Sequence, residues 1–402
     1  MSTILYNANS KLVSRFHRKV KLRNELNVDF SDEPSFKSSH PKNSPEYLRE
    51  LCKSVYPESL HSNFTDMAIS RLSVHAFFAL IVQNFVKTWF GTKIPSTDPE
   101  FLCELFAIVQ RLVVHVENYE VSWEQLILDD LPLVVFEHFQ ALKTNGLVYS
   151  RENSSSATAD YICSLLRSES TLEAVFVRSL YVNLLCGKIL HSIAEPYLTL
   201  EILNKVARSK LENLHSEPSS IFEKISSTIT VVRSALKFHR QGPQQLWRPF
   251  THRYFFTCAR RLIRFEQRRP FLYCLCKYTE AAAAKIPGFD RFMYRLFQTN
   301  VADKLSSGPQ VAHIFVALRQ LVFPRDTVTG PPRPVFDDHK KKLLREECEQ
   351  NFYQLLASYK IESIVGLTVT DVKNFVSTIS ADQCANAQLL ERLVACVIAH
   401  IA

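Results

Sequence analysis

The sequence predicts an all-α fold, and three observations carry that prediction. Glycine is scarce, with 8 in 402 residues and none close to another, so the positive-φ turns of tight β-hairpins are in short supply. Apolar residues recur at three- and four-residue spacing through most of the chain, the period of helices with an inward face. The run Phe64–Phe90 contains neither Gly nor Pro, so nothing in it breaks a helix. A chain of this length allows two or three domains.

Residues 1–45 read as a basic tail and linker. Lys11, Arg15, Arg18, Lys19, Lys21 and Arg23 crowd a segment with no acid before Glu25, and Leu12, Phe16 and Val20 recur in it at helical spacing. Such a helix can lie on anionic lipid. The same pattern suits a helix docked on its own protein or a mitochondrial presequence. Arg15, Arg18 and Lys19 are its membrane-surface candidates. Ser31–Pro45, rich in Ser and Pro, is the linker.

Residues 46–240 read as one helical domain. In Phe64–Phe90, Phe78, Ile81, Phe85 and Trp89 share one face, and Leu72, Ala76 and Leu80 another. A helix apolar on most of its circumference is buried in protein or lipid. Its longest unbroken apolar run, Ala76–Val82, is interrupted by Gln83, Asn84 and Lys87. That falls short of the ~18 residues a membrane span needs, so it reads as the central helix of a soluble protein. Asp98-Pro99-Glu100 starts the next helix, and Trp123–Lys143 follows with Leu128, Leu131, Val135 and Phe139 on one side. Gly146–Asp160, with three consecutive serines, reads as an exposed loop. Helices over Thr171–Ile193, Thr199–Leu214 and Ile221–Lys237 complete the domain.

Gln241-Gly242-Pro243 is the clearest internal break. Residues 241–310 follow as connecting helices. Arg253, Arg260, Arg264 and Arg268 fall at helical spacing in a helix expected over Thr251–Arg269, beside an apolar stripe of Tyr254, Cys258, Leu262 and Phe265. These arginines suit a solvated face over the core, lipid phosphate heads or, without any accompanying base-stacking motif, nucleic acid. No nucleic-acid partner is expected. Residues 311–402 form the last helical domain. Val311–Val322 is apolar and helical, and a Pro-rich loop ends at Phe336. Asp337 caps a helix with Leu344, Cys348, Phe352, Leu355 and Tyr359 on one stripe. Gly366 is a helix stop, Thr370 caps the next helix, and Asn386–Ala402 is apolar enough that it must dock.

Composition excludes several classes. The glycines form no phosphate loop, dinucleotide fingerprint or nucleophile elbow. The ten cysteines lack any CxxC pair and read as reduced, mostly buried thiols, with no zinc site. His75, His115, His138, His191 and His313 are scattered, without HExxH, and read as packing residues. No catalytic residue, metal ligand or cofactor is assigned, and the chain is read as not an enzyme. The formal charge of +8 suits a protein that visits anionic surfaces.

Several blocks resemble a known family. Phe64–Phe90, Asp98-Pro-Glu-Phe-Leu102, Asp130–His138, Leu180–Leu190 and Pro196 are similar to the PXA (PX-associated) domain of membrane-tethering sorting nexins. Phe323-Pro324, Pro331-Pro332, the Asp337–Leu356 helix and the Asn386–Ile401 helix resemble the nexin C-terminal domain. The long family members carry a membrane-spanning hairpin and RGS and PX domains; this chain resembles short fungal-type members without them. The resemblance implies that the PXA and nexin-C parts pack as one helical unit around an apolar cavity that holds lipid. It implies a cytoplasmic, peripheral membrane protein that binds or transfers phospholipid at endoplasmic reticulum–vacuole contact sites or on endosomal membranes. Phe77, Phe78, Ile81, Phe85 and Trp89 are the lipid-cavity candidates. The expected partners are an anionic membrane surface, a phospholipid or fatty acyl ligand and a contact-site protein. A protein-binding tether or scaffold without lipid cargo is the alternative.

Overall fold

The computed structural model describes residues 36–88, 90, 98–119, 121–143, 151–166, 170–216, 248–286, 288–327 and 337–401. Most of these residues are helical, with no β-strand among them. The basic tail with Arg15, Arg18 and Lys19, Trp89, the helix expected over Ile221–Lys237, the break at Gln241–Pro243 and most of the Pro-rich loop lie outside them.

The first core is built around one helix. α1 (Pro45–Val55) starts with Pro45 at its first position and Ser44 as cap, whose hydroxyl accepts from the Tyr47 amide; both choices suit a helix start. A 3₁₀ turn, Glu58–Phe64, inserts Phe64. α2 (Ile69–Ile81) runs on into a π turn, Val82–Val86. Leu48, Leu51, Phe64, Leu72, Ala76 and Leu80 are fully buried there. The helix begins at Ile69 and not at Phe64, because Phe64 turns into the core to meet Phe106 edge-to-face at 5.5 Å. α3 (Glu100–Asn118) brings Phe106, which stacks on buried His75 at 4.8 Å. Asp98 accepts from the Glu100 amide at its start.

α4 (Leu131–Lys143) continues a π turn at Leu126–Asp130. α5 (Arg151–Leu165) occupies sequence read as loop. Serine lowers helix propensity by only a fraction of a kcal/mol, and Ala159 and Ile162 pack on Tyr181 and Leu190, so tertiary contact decides. α6 (Thr171–Ser179) extends through a long π stretch, Leu180–Leu190, to Ile193. α7 (Pro196–Ser216) completes this half.

The helix expected over Thr251–Arg269 is broken. α8 (Tyr254–Leu262) stops, Arg264 takes the left-handed conformation at φ 52°, and a short α9 (Phe265–Arg268) follows. α10 (Pro270–Ala283) starts immediately afterwards, with Pro at its first position. α11 (Phe289–Phe297) packs Tyr294 and Phe297 with Phe250 and Leu128.

α12 (Gly308–Val322) lies along α2, with Phe315, Leu318 and Phe323 in the first core. A buried polar knot fixes this docking. Arg319, fully buried, pairs with Asp326 at 3.0 Å, and Tyr47 donates to Asp326 at 2.6 Å. Arg319 also donates to Asn43.

α13 (Asp338–Ser358) packs on α7. Its inner stripe is Leu344, Cys348, Phe352 and Leu356; Tyr359 lies past the helix end and is exposed. After the short α14 (Ile361–Val365), Gly366 takes φ 77° as the helix stop. α15 (Val369–Ile379) is capped by Thr368, not Thr370, through a capping box with Asp371. α16 (Gln383–Ile401) sits on α4 and α5 with Leu390, Val394 and Ile398 against Tyr181 and Cys186. The PXA-like and C-terminal parts therefore meet in three places, through α12, α13 and α16.

One expectation is corrected by helix composition. Three helical stretches are long and apolar enough to cross a membrane: Ile69–Val86, Thr171–Ile193 and Gln383–Ile401. Unbroken apolar runs missed them because single polar residues end a run but barely lower an average. The first stretch is mostly buried inside the protein and the last hardly at all.

Candidate lipid cleft and membrane-facing residues

Two of the π stretches, Val82–Val86 and Leu180–Leu190, lie at the candidate site. A π turn leaves a carbonyl without its usual amide partner. In α2 the Asn84 side chain supplies the donor, giving bonds to Leu80 O at 2.8 Å and Thr327 O at 2.7 Å. Lys87 donates to Val55 O at 2.6 Å, and burial pushes its pKa down. The extra residue in each wide turn shifts everything after it around the helix. Phe85 is thereby offset from the face that Leu72, Ala76 and Leu80 present to the core.

Phe85 and Val86 turn toward α6 and its extension. With Phe176, Leu180 and Leu184 they wall a cleft of about 330 Å³, near the lower limit of ligand pockets at ~300 Å³. One edge of the cleft is polar. Ser179, Asn183 and Lys188 lie there, and Asn183 donates to Ser179 at 3.1 Å. The Lys188 ammonium is 5.8 Å from the Phe85 ring centre and has no carboxylate partner among the described residues. An apolar trough with a cation at its edge can accept an acyl segment and an anionic group together.

Of the cavity candidates, Phe85 lines this cleft. Phe77 and Ile81 are buried in the first core, and Phe78 packs against that core. Phe77 meets Phe315 and Phe323 of the α12 region edge-on. Trp89 is outside the described residues. The residues that sequence reasoning did not bring to this site are Phe176, Leu180, Leu184 and Lys188. Their signal was the apolar run interrupted by Gly187-Lys188.

The four arginines do not form one surface. Arg253 donates to Asp129 at 2.5 Å and to the Tyr294 hydroxyl at 2.6 Å. Burial opposes its charge, but these bonds outweigh burial and raise its pKa. Arg260 pairs with Glu280 of α10. Arg268 donates to Asp371 at 2.7 and 2.5 Å and to Gly366 O at 3.0 Å. The Arg268 guanidinium holds the Asp371 carboxyl down to about 2. Three of the four charges are thus committed to partners inside the chain, and of the four Arg264 alone is exposed with no such partner. The break at Arg264 is what separates their directions. Among the described residues, no group of three His, Cys, Asp or Glu side chains is placed to hold a metal.

Residues 69–164 match the PXA domain, a span from the start of α2 to the end of α5. The nexin C-terminal part of the resemblance rests on its sequence blocks alone. Over an alignment of 464 positions, gaps included, that covers the whole of both chains, the sequence is 31% identical to the Saccharomyces cerevisiae protein named Uncharacterized protein YDR179W-A. No solved structure matches.

Proposed function

Because the chain belongs to the same family as the yeast protein YDR179W-A and its residues 69–164 match the PXA domain, we propose that it is a peripheral membrane protein that binds phospholipid. Its expected setting is a contact between organelles of the endoplasmic reticulum–vacuole type, on the cytoplasmic side. The carrying observation is the cleft between α2 and α6, with Phe85, Phe176 and Leu180 as walls and Lys188 at its edge. Each CH₂ moved from water into such a trough is worth ~0.8 kcal/mol, so a few carbons of one chain give useful affinity. The polar edge keeps a headgroup in contact with water. This function needs binding residues only and no catalytic machinery.

The test is lipid extraction of the protein purified from cells, followed by mass spectrometry. Stoichiometric phospholipid supports the reading. Phe85→Asp, which places a charge on the cleft wall, should remove the lipid while the protein stays folded by circular dichroism. A clean extract from the unaltered protein overturns the cargo reading and leaves a lipid-free tether. Transfer between donor and acceptor vesicles then separates carrying from holding.

A further inference from the structure

α10 is an apolar helix that lies on the outside of the described fold. None of its residues is buried. Its inner side is fixed by Tyr273, which meets Phe265 edge-to-face at 6.2 Å, and by Glu280 pairing with Arg260. The opposite side is apolar. Phe271, Leu275 and Tyr278 follow at the four- and three-residue spacing of one helix face and are 79%, 49% and 76% exposed. Ile286 continues the patch in the terminal turn, 58% exposed. Single exposed apolar residues are ordinary, but a continuous aromatic stripe along an anchored helix is an interaction surface.

The charge of the segment that carries it, α8 to α10, says what covers it. Between residues 254 and 286, Lys and Arg outnumber Asp and Glu seven to two. Arg260, Arg268 and Lys277 are paired internally, and Arg269 donates to Ser363 O. Arg261, Arg264 and Lys285 remain exposed, without a carboxylate partner among the described residues. A protein partner would have to be both apolar and acidic. An anionic bilayer offers both at once, with acyl chains for Phe271 and Leu275 and phosphates for the cations. Tyr and Phe are side chains favoured at that interface.

We propose that the outer face of α10 is the surface by which this protein lies on anionic membranes, with Phe271, Leu275 and Tyr278 entering the headgroup layer and Arg261, Arg264 and Lys285 holding phosphates around them. The proposal rests on the reading of the protein as membrane-peripheral, and places the contact away from the α2–α6 cleft. It also separates the surface role from Arg253, Arg260 and Arg268.

The experiment is sedimentation of the full chain with vesicles of phosphatidylcholine, with and without phosphatidylserine. Binding should require phosphatidylserine and weaken with salt. The variant Phe271→Ser/Leu275→Ser/Tyr278→Ser should lose at least about tenfold in partitioning, since even one such side chain withdrawn from lipid forfeits the ~1.4 kcal/mol that a factor of ten represents. Phe271→Trp should keep binding and show a blue-shifted emission on the charged vesicles only, a readout independent of folding in the triple variant. Three results overturn the proposal: unaltered protein that ignores charged vesicles, a triple variant that binds as well as the parent, or an emission spectrum of the Phe271→Trp variant that is unmoved in sedimented protein. A dimer that the triple variant dissolves, without change in vesicle binding, would assign the stripe to a second copy instead. The cleft is tested separately by lipid extraction, so failure of this surface leaves the cargo result readable.

Discussion

α2 and α16 are alike in sequence and opposite in packing. α2 taken with its π turn, Ile69–Val86, and α16 are each long and apolar enough to cross a membrane, yet 61% of the first stretch and 17% of the second is buried in the protein. α2 is enclosed by α1, α3 and α12, whereas α16 rests on α4, α5 and the end of α6. Most of its apolar residues are half-buried on every side. Apolar composition sets the demand for burial, and the number of surrounding elements sets how much is met. A region with unmet demand is where a lipid or a membrane has something to offer.

The largest effect expected from breaking this contrast is at the knot that seals α2. Arg319→Leu takes the buried cation from Asp326 and leaves only the half-exposed Lys42 ammonium, 3.8 Å away. Removing one partner of a buried pair costs about 3–5 kcal/mol, which should appear as a lower urea midpoint. Arg319→Leu/Asp326→Leu should recover much of the loss. If the double variant is as weak as the single, the knot acts by shape and hydrogen bonds to Tyr47 and Asn43, not by charge.

The same contrast predicts unequal costs for equal deletions. Leu80→Ala in the closed core should cost about 2–5 kcal/mol. Leu390→Ala, on a helix face that is only half-buried, should cost about 1 kcal/mol, because less area returns to water and less cavity is left. Equal shifts in the urea midpoint would mean that α16 is as tightly enclosed as α2.

Much of this was legible in particular residues. Leu72, Ala76 and Leu80 mark the buried face of α2 by spacing alone, and Asp98, Asp337 and Gly366 mark helix ends through local chemistry. The cleft was only partly legible. Spacing carries Phe85 onto the face of Phe78 and Ile81, but the π turn at Val82–Val86 rotates it toward α6, and a straight-helix projection has no term for that. The arginine partners Asp129 and Asp371 lie 124 and 103 positions away in sequence, so no local pattern could pair them. The stripe of α10 was present as spacing, but spacing cannot tell an inward face from an outward one.

A smaller effect should follow pH. His75 is fully buried, with Nε2 2.9 Å from Gln110 Oε1, and His138 is buried in α4. Burial lowers the pKa of each below its ordinary 6.5, with Gln110 partly opposing it at His75 and Arg392 adding to it at His138. The unfolded chain therefore takes up these protons first as pH falls. Stability should be flat above about pH 7 and decline below about 6.5. Melting temperature against pH measures it. His75→Gln should flatten the decline in the closed core, and His138→Gln should flatten it in the open region. If only one variant changes the slope, that site carries the pH dependence.

The smallest expected change sharpens the contrast from the other side. Arg268–Asp371 has the same chemistry as Arg319–Asp326, but both side chains are about a quarter exposed. Water and salt weaken such a pair. Asp371 also closes the capping box with Thr368, accepting from Thr368 N at 2.8 Å. Asp371→Asn should therefore cost about 1 kcal/mol, less than Arg319→Leu. Its pKa is held down to about 2 from 3.8, first by Arg268 and then by Thr368. The stabilisation is therefore complete above about pH 4 and lost as pH falls through about 2. In high salt the Asn variant and the parent should converge at neutral pH, leaving the cap contribution. A cost at Asp371 equal to that at Arg319, unmoved by salt, would show that burial does not separate the two pairs and would remove the distinction between a closed core and an open flank.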